Sequence, residues 1–430
     1  MPTRRRRRGT PRRRRRSGRA PVIEEAVAEA HRRGWALVLA ATARLTNDLD
    51  LAEECVQEAY AAALESWARD GVPANPEAWL TTTARRRALD AIRRERTLRS
   101  KLPLLVEPEE TVEDTVMDNP PAEDHDDEVP DERLRLIFTC CHPALAQEAQ
   151  VALTLRLVCG IPTPDVARAF LVSEPTMAAR ITRAKKKISG ARIPYRVPHG
   201  AELPDRLRGV LAVIHLLFTT GHTAPSGADL VRTDLVDRAL HLARMLRQLM
   251  PDEPEVAGLL ALLLVTDARR ATRVDAAGRL IRLPDQDRAL WDRVAMAEAH
   301  ELIVAGLRAG RIGRYVLQAA IAALYAEAPS YAETDWPQIV QLYDKLLEIW
   351  PSPVVALNRA VPLAMVAGPE VALAEISQLD LPGYHYLPAV KADLLRRLGR
   401  EAEAREAYTQ ALALATNEAE RTFLAEQLFP

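Results

Sequence analysis

The chain has 430 residues, 48% of them hydrophobic but only 5% aromatic, and a formal net charge of −1. That length exceeds one ordinary core and predicts two to four domains, while an alanine-, leucine- and arginine-rich chain with so few aromatics favours an all-α fold over a sandwich or barrel. Four cysteines, Cys55, Cys140, Cys141 and Cys159, exclude a disulfide framework and fit a reducing, cytoplasmic setting, and no apolar run is long enough to span a bilayer, so no membrane partner is expected.

The neutral total hides local asymmetry of the kind a modular nucleic-acid protein shows. Residues 1–21 read as a disordered basic tail, or as residues ahead of a later start codon. Met1 to Ala20 carry eleven arginines and no acid, and no apolar core follows to make a signal peptide.

Residues 22–101 read as one helical unit. A first helix is expected from about Ile23 to Leu45, with a turn at Asn47-Asp48. Asp50 is placed to cap a second helix, Leu51 to Ala68, with Leu51, Cys55, Ala59 and Ala62 as its apolar stripe and Glu53, Glu54, Gln57 and Glu58 on the other side. Two prolines and a glycine between Asp70 and Pro76 forbid a helix there. Asn75 then caps and Pro76 opens a third helix, Glu77 to Leu98. Its packed side is Trp79, Leu80, Ala84, Ala88 and Ile92, and its exposed side is Arg85, Arg86, Arg87, Arg93, Arg94 and Arg96. Trp67 and Trp79 could stack on bases, but beside Leu64 and Leu80 at helical spacing they read as core.

Residues 102–132 carry thirteen Asp or Glu and no Lys or Arg. With prolines and few large apolar groups, this stretch reads as an acidic flexible linker; about thirty such residues span roughly 30 Å by random-coil scaling.

Residues 133–192 form the second expected helical unit, and Val151 to Ile188 is the most informative part of the chain. It reads as three short helices with the layout of a helix-turn-helix whose last helix enters the major groove of DNA. Gly160 can take the left-handed backbone that ends the first. Thr163 as N-cap and Pro164 in the first turn open the second, with Val166, Ala167 and Phe170 on one face. Leu171 and Val172 carry the turn, and Ser173 caps the third. That helix puts Met177, Ile181, Ala184 and Ile188 inward, and Thr176, Arg180, Arg183 and Lys187 outward. Cys140-Cys141-His142 has no CxxC or HxxxH partner elsewhere, so buried structural thiols are expected and no metal or other cofactor.

Residues 193–202 read as a short linker, and residues 203–430 as a larger helical extension. Ala356-Leu-Asn-Arg-Ala before Gly368 is echoed by Ala389-Val-Lys-Ala-Asp before Gly399, an offset of roughly 33 residues, near the tetratricopeptide period. TPR-like helix pairs are therefore expected near 338–430, the other reading being an irregular α-bundle. A repeat surface of this kind would take a protein or peptide partner in its concave groove. His215, His222, Asp229, Asp234, Asp237 and His241 show no metal-ligand spacing, and no catalytic motif occurs, so they read as scattered solvent-facing groups and not as an enzyme site.

The motifs NDLDLAEECVQEAYAAALESW and PEAWLTTTARRRALDAIRRER, at 47–99, together with the helix-turn-helix at 147–190, resemble regions 2 and 4 of extracytoplasmic-function sigma factors of the sigma-70 family. DERLRLIFTCCHPAL, LPDRLRGVLAVIHLLFTTGHTAPSGADLVR and DARRATRVDAAGRLIRLPDQDRALWDR resemble the subgroup with a long tetratricopeptide-type extension, so the likeness covers nearly everything after residue 22. It implies a promoter-specificity subunit, with core RNA polymerase and promoter DNA as partners. Core polymerase would dock on Glu53, Glu54, Gln57 and Glu58. Arg85, Arg86, Arg93 and Arg94 would neutralise phosphates at the −10 element, beside a base-capturing loop at Asp70 to Pro76. Glu174, Thr176, Arg180 and Arg183 would meet −35 base edges, and Lys185, Lys186 and Lys187 would hold phosphates there. Arg86 stands where many family members have Asn, which leaves the −10 base preference open. The acidic stretch would thread near the RNA path of the polymerase. A stand-alone helix-turn-helix regulator with a partner- or ligand-sensing extension is the alternative, and an acidic docking helix followed by an arginine-rich one argues against it.

Overall fold

The computed structural model describes residues 20–101, 132–170, 172–224, 227 and 229–428. The arginine-rich start and the acidic stretch therefore lie outside the described residues, as does Leu171 of the expected turn, although the helices flanking them begin as early as Ala20 and Glu132. Among the described residues are eighteen α-helices and no strand, only two isolated bridges. The chain divides into two compact units, 1–206 and 207–430.

In the first unit, α1 (Ala20–Thr46), α2 (Leu49–Asp70) and α3 (Pro76–Lys101) pack on one another. Asp48 caps α2, not Asp50: its carboxylate accepts the N–H groups of Asp50 and Leu51 at 2.7 and 3.1 Å. The helix starts two residues earlier than expected, and Asp50 falls in its first turn, where a negative charge still suits the helix dipole. Gly71, at φ 91, closes α2, and the Asn75 side chain caps α3 by accepting from Ala78 N–H at 3.0 Å. The Trp67 and Trp79 rings meet edge to face at 5.7 Å; Trp67 is buried and Trp79 half-buried.

The same unit continues with α4 (Glu132–Cys140), α5 (Gln147–Leu153), α6 (Thr163–Ala169) and α7 (Glu174–Gly190). Instead of running as an α-helix to Gly160, α5 widens into a π turn, Thr154–Val158, which buries Leu155, Leu157 and Val158. Gly160 has φ +67, and a Cβ there would lie 2.8 Å from Trp35 Cγ and His31 Cε1, so both backbone and neighbours require glycine. Thr163 is the first residue of α6 and makes no side-chain cap; Pro162 holds the cap position. The expected linker after α7 is fastened to α1, with Tyr195 donating its hydroxyl hydrogen to Ala40 O at 3.1 Å.

The second unit begins with α8 (Leu203–His222), which straddles its boundary, then α9 (Thr233–Leu249) and α10 (Pro254–Asp267). Pro254 and the stretch from Val256 to Val265 in α10 are buried, because α9, α11 (Arg293–Arg308) and α12 (Arg314–Glu327) cover it on all sides. Glu255 caps α12, accepting the N–H groups of Tyr315 and Val316 at 3.1 Å each. Then come α13 (Trp336–Ile349), α14 (Pro353–Val366), α15 (Pro369–Ile376), α16 (Tyr386–Arg397), α17 (Glu401–Leu414) and α18 (Glu418–Leu428), each packed on the next. Leu357, Ala372, Leu395, Tyr408 and Leu424 share one core along this series.

The series does not end free. Asn417, 0% exposed, donates from Nδ2 to Ala224 O at 3.1 Å and Asp229 O at 3.0 Å, and Glu418 N–H donates to Gly227 O at 2.9 Å. The last helix is thereby tied to the loop after α8. His222, expected at the surface, is buried beside Phe218, and Arg273 donates to its carbonyl and, at 3.0 Å, to Thr223 Oγ1.

Candidate nucleic-acid and polymerase interface

The third helix of the helix-turn-helix, α7, has two faces that follow from its spacing. Ser173 Oγ accepts from Thr176 N–H at 3.4 Å, and Met177, Ile181, Ala184 and Ile188 are buried against α5 and α6. Glu174, Thr176, Arg183, Lys186 and Lys187 are exposed, and Arg180 is half-buried. Lys185 is not available in the same way. It is only 9% exposed, and its Nζ lies 2.7 Å from both Asp50 and Glu53 of α2.

On α3, Arg85, Arg86, Arg93 and Arg94 are all exposed. Arg85 and Arg86 have no ion-pair partner among the described residues, whereas Arg93 lies 3.6 Å from Asp90. Arg87, expected outward with them, instead pairs with Glu58 of α2. Arg94 joins Arg87 in lining a groove of about 270 Å³ with Glu54, Cys55 and Glu58. The acidic side of α2 and the basic side of α3 thus meet along one edge, each partly neutralising the other.

The acidic patch on α2 is divided by burial. Glu54, Gln57 and Glu58 are exposed, but Glu53 is 6% exposed and held between Arg156, in the π turn, and Lys185. Gln57 Nε2 donates to Glu53 at 3.2 Å. Around this centre the two helical groups of the first unit are joined by further bonds. Trp35 Nε1–H donates to Leu157 O at 2.9 Å, the Arg156 guanidinium sits 5.8 Å from the Trp35 ring centre, and Arg44 pairs with Glu132 at 2.6 Å. The two helical groups therefore touch within the first unit: α1 packs directly on α4 and the π turn, and Glu53 of α2 reaches Arg156 and Lys185. Arg156 and Trp35 were not singled out from the sequence. A lone arginine inside the apolar run LTLRLV was the available signal, since a charge there needs a buried partner.

The four cysteines are buried, and burial raises Cys140 well above the ordinary thiol range and Cys141 to about 12, so both remain protonated. No group of three metal-ligating side chains occurs among the described residues. No helix among them is long and apolar enough to cross a membrane.

Residues 31–97 match the model for sigma-70 region 2, and residues 135–188 that for sigma-70 region 4. A relative in Rhizobium meliloti (strain 1021), named Uncharacterized protein R00370, is 43% identical over 401 residues, covering 91% of this chain and 92% of its own. The chain belongs to the sigma-70 family. Its layout is like that of extracytoplasmic-function sigma factors: α1–α3 are region 2, α4–α7 are region 4, and a C-terminal extension follows. Residues 206–306 of this sigma factor's extension match a family of unknown function (DUF6596).

Proposed function

We propose that this sigma factor binds core RNA polymerase through region 2 and directs initiation at promoters whose −10 and −35 elements it reads with α3 and α7. The reading rests above all on α7: its apolar face is fully used in the region 4 core, while Glu174, Thr176 and Arg183 are exposed at the end and side that a major-groove helix presents. Arg183 and the half-buried Arg180 are the candidates for bidentate contact with guanine, and Lys186 and Lys187 for phosphates. Arg85 and Arg86 are exposed and without an ion pair among the described residues, and so are candidates for phosphates near −10.

Glu53 and Lys185 enter this function with a condition. Each is engaged by the other, so polymerase docking through Glu53 and phosphate contact through Lys185 both require regions 2 and 4 to separate. The closed arrangement supports a resting state that opens on the polymerase. Glu54, Gln57 and Glu58 remain exposed for a first encounter. The extension's successive helix pairs support a tetratricopeptide-like character and a role in regulating the sigma regions in cis, with a protein or peptide partner as one input.

The test is reconstitution. Purified protein is mixed with bacterial core polymerase and genomic DNA, and transcript starts are sequenced. Starts that share two spaced motifs and require the protein are expected. Specific DNA binding without polymerase, and no new starts with it, would instead establish a stand-alone regulator.

A further inference from the structure

The extension encloses a cavity of about 500 Å³, within the range of small-molecule sites. Its wall comes from α8, α10, the segment between α10 and α11, α12, α13 and α14, and most of it is apolar or aromatic, including Trp291, Tyr343 and Trp350. Among the lining residues there is one charge, Arg269, and no carboxylate. Arg269 has neither an ion pair nor a side-chain hydrogen bond among the described residues, although the neighbouring Arg270 is paired with both Asp237 and Asp267. Its guanidinium is desolvated, and the nearby Arg288 adds to the positive potential. A second group is also unfulfilled: Gln318 Nε2, on the α12 wall, is buried without an acceptor.

Leaving a cation and an amide donor without partners in an apolar enclosure is unfavourable, and an acceptor-rich anion would relieve both. The remaining polar wall fits that chemistry. Burial holds His215 neutral, its pKa lowered to about 4, so it adds no competing charge at neutral pH. Tyr325 and Tyr343 are pushed above the ordinary phenol range by burial and stay protonated, hence able to donate. We propose that this cavity is a binding site for a small organic monoanion with an apolar body, whose carboxylate or sulfonate meets Arg269 and Gln318 while its hydrocarbon lies along Tyr343 and Trp350. Because it concerns the extension alone, the site stands or falls independently of promoter recognition.

The full chain is titrated with the fluorescent anion anilinonaphthalene sulfonate, and bound probe is displaced with decanoate or with the uncharged decanol. Saturable binding at one site per chain is expected, with decanoate competing at least tenfold better than decanol and raising the melting temperature. Arg269→Gln should remove most of the preference for decanoate, and Ala322→Trp, which fills the cavity from α12, should abolish displaceable binding of all three. Circular dichroism establishes that each variant is folded; if neither is, the decanoate-to-decanol ratio on the native chain decides alone. Equal competition by the two compounds, an unchanged ratio in a folded Arg269→Gln variant, or no saturable uptake would overturn the site.

Discussion

Lys185 Nζ lies 2.7 Å from Glu53 Oε2, joining α7 of region 4 to α2 of region 2 across 132 positions of sequence. Arg156 completes the arrangement from the opposite side of the carboxylate. Neither cation alone is essential to neutralise Glu53, and that redundancy shapes the first prediction.

Arg156→Ala or Lys185→Ala singly leaves Glu53 with one cation; the double substitution leaves a buried carboxylate with none. Breaking a buried pair in this way costs about 3–5 kcal/mol, so regions 2 and 4 should part and hydrate Glu53. Fluorescence energy transfer between labels on α2 and α7 should fall clearly in the double variant and little in either single one. Unchanged transfer in the double variant would show that the closed contact does not depend on this charge cluster.

Much of the two sigma regions was legible in the sequence because it depends on local spacing. Ser173 as a cap, and Met177, Ile181, Ala184 and Ile188 as the inward face, follow from helical period alone. The burial of Glu53 and Lys185 was not legible, for a physical reason: helical period tells which side a residue is on, not what will be packed against that side. A polar face that meets a complementary polar face has the same pattern as one that meets water. His222 and Asn417 were obscured in the same way, because their partners lie far away in sequence: the Arg273 side chain donates to the His222 carbonyl, and Asn417 Nδ2 donates to the Ala224 carbonyl. The arginine face of α3 was visible as composition, but the pairing of Arg87 with Glu58 needed the register between α2 and α3.

Arg183 and Lys187 should fail differently when replaced by alanine. Loss of a base-reading arginine costs about 1–3 kcal/mol at cognate promoters and relaxes preference at one position. Loss of a phosphate-binding lysine weakens all promoters alike and lowers the salt slope of binding by about one. Transcript-start sequencing with each variant, over a range of salt, separates the two. A uniform loss with Arg183→Ala would remove that residue from base reading.

The extension should lose stability on mild acidification. Burial, with Arg273 and Arg269 nearby, lowers His222 to about 2, and His215 falls to about 4, both below the ordinary histidine value of 6.5. The unfolded chain therefore takes up protons below pH 6.5 that the folded one does not, and stability declines as pH falls from there toward 4. The decline approaches about 1.4 kcal/mol per pH unit for each such histidine. Urea denaturation of the full chain at pH 7 and pH 5, followed by tryptophan fluorescence, measures it. A His222→Gln variant should show a shallower loss; an identical slope would mean that His222 titrates normally in the folded state.

Asn417 should matter more to the extension than any residue of comparable size on α17 or α18. It is fully buried, its Nδ2 bonds two carbonyls of the loop after α8, and its Oδ1 accepts the N–H groups of Ala419 and Glu420 at 3.0 and 3.3 Å. Asn417→Ala removes the cap of α18 and strands the Ala224 and Asp229 carbonyls, each loss worth about 1–3 kcal/mol when the group stays buried. The last helix should detach from that loop, exposing the backbone around Gly227 and Glu418 to solvent. Amide hydrogen exchange of the variant should therefore quicken in residues 418–428 and in the loop after α8, while α10, enclosed by α9, α11 and α12, keeps its protection. Transcription by the variant, at matched protein level, then reports whether this closure is part of how the extension governs the sigma regions: altered output with unaltered polymerase binding is expected, and equal output would separate the closure from regulation.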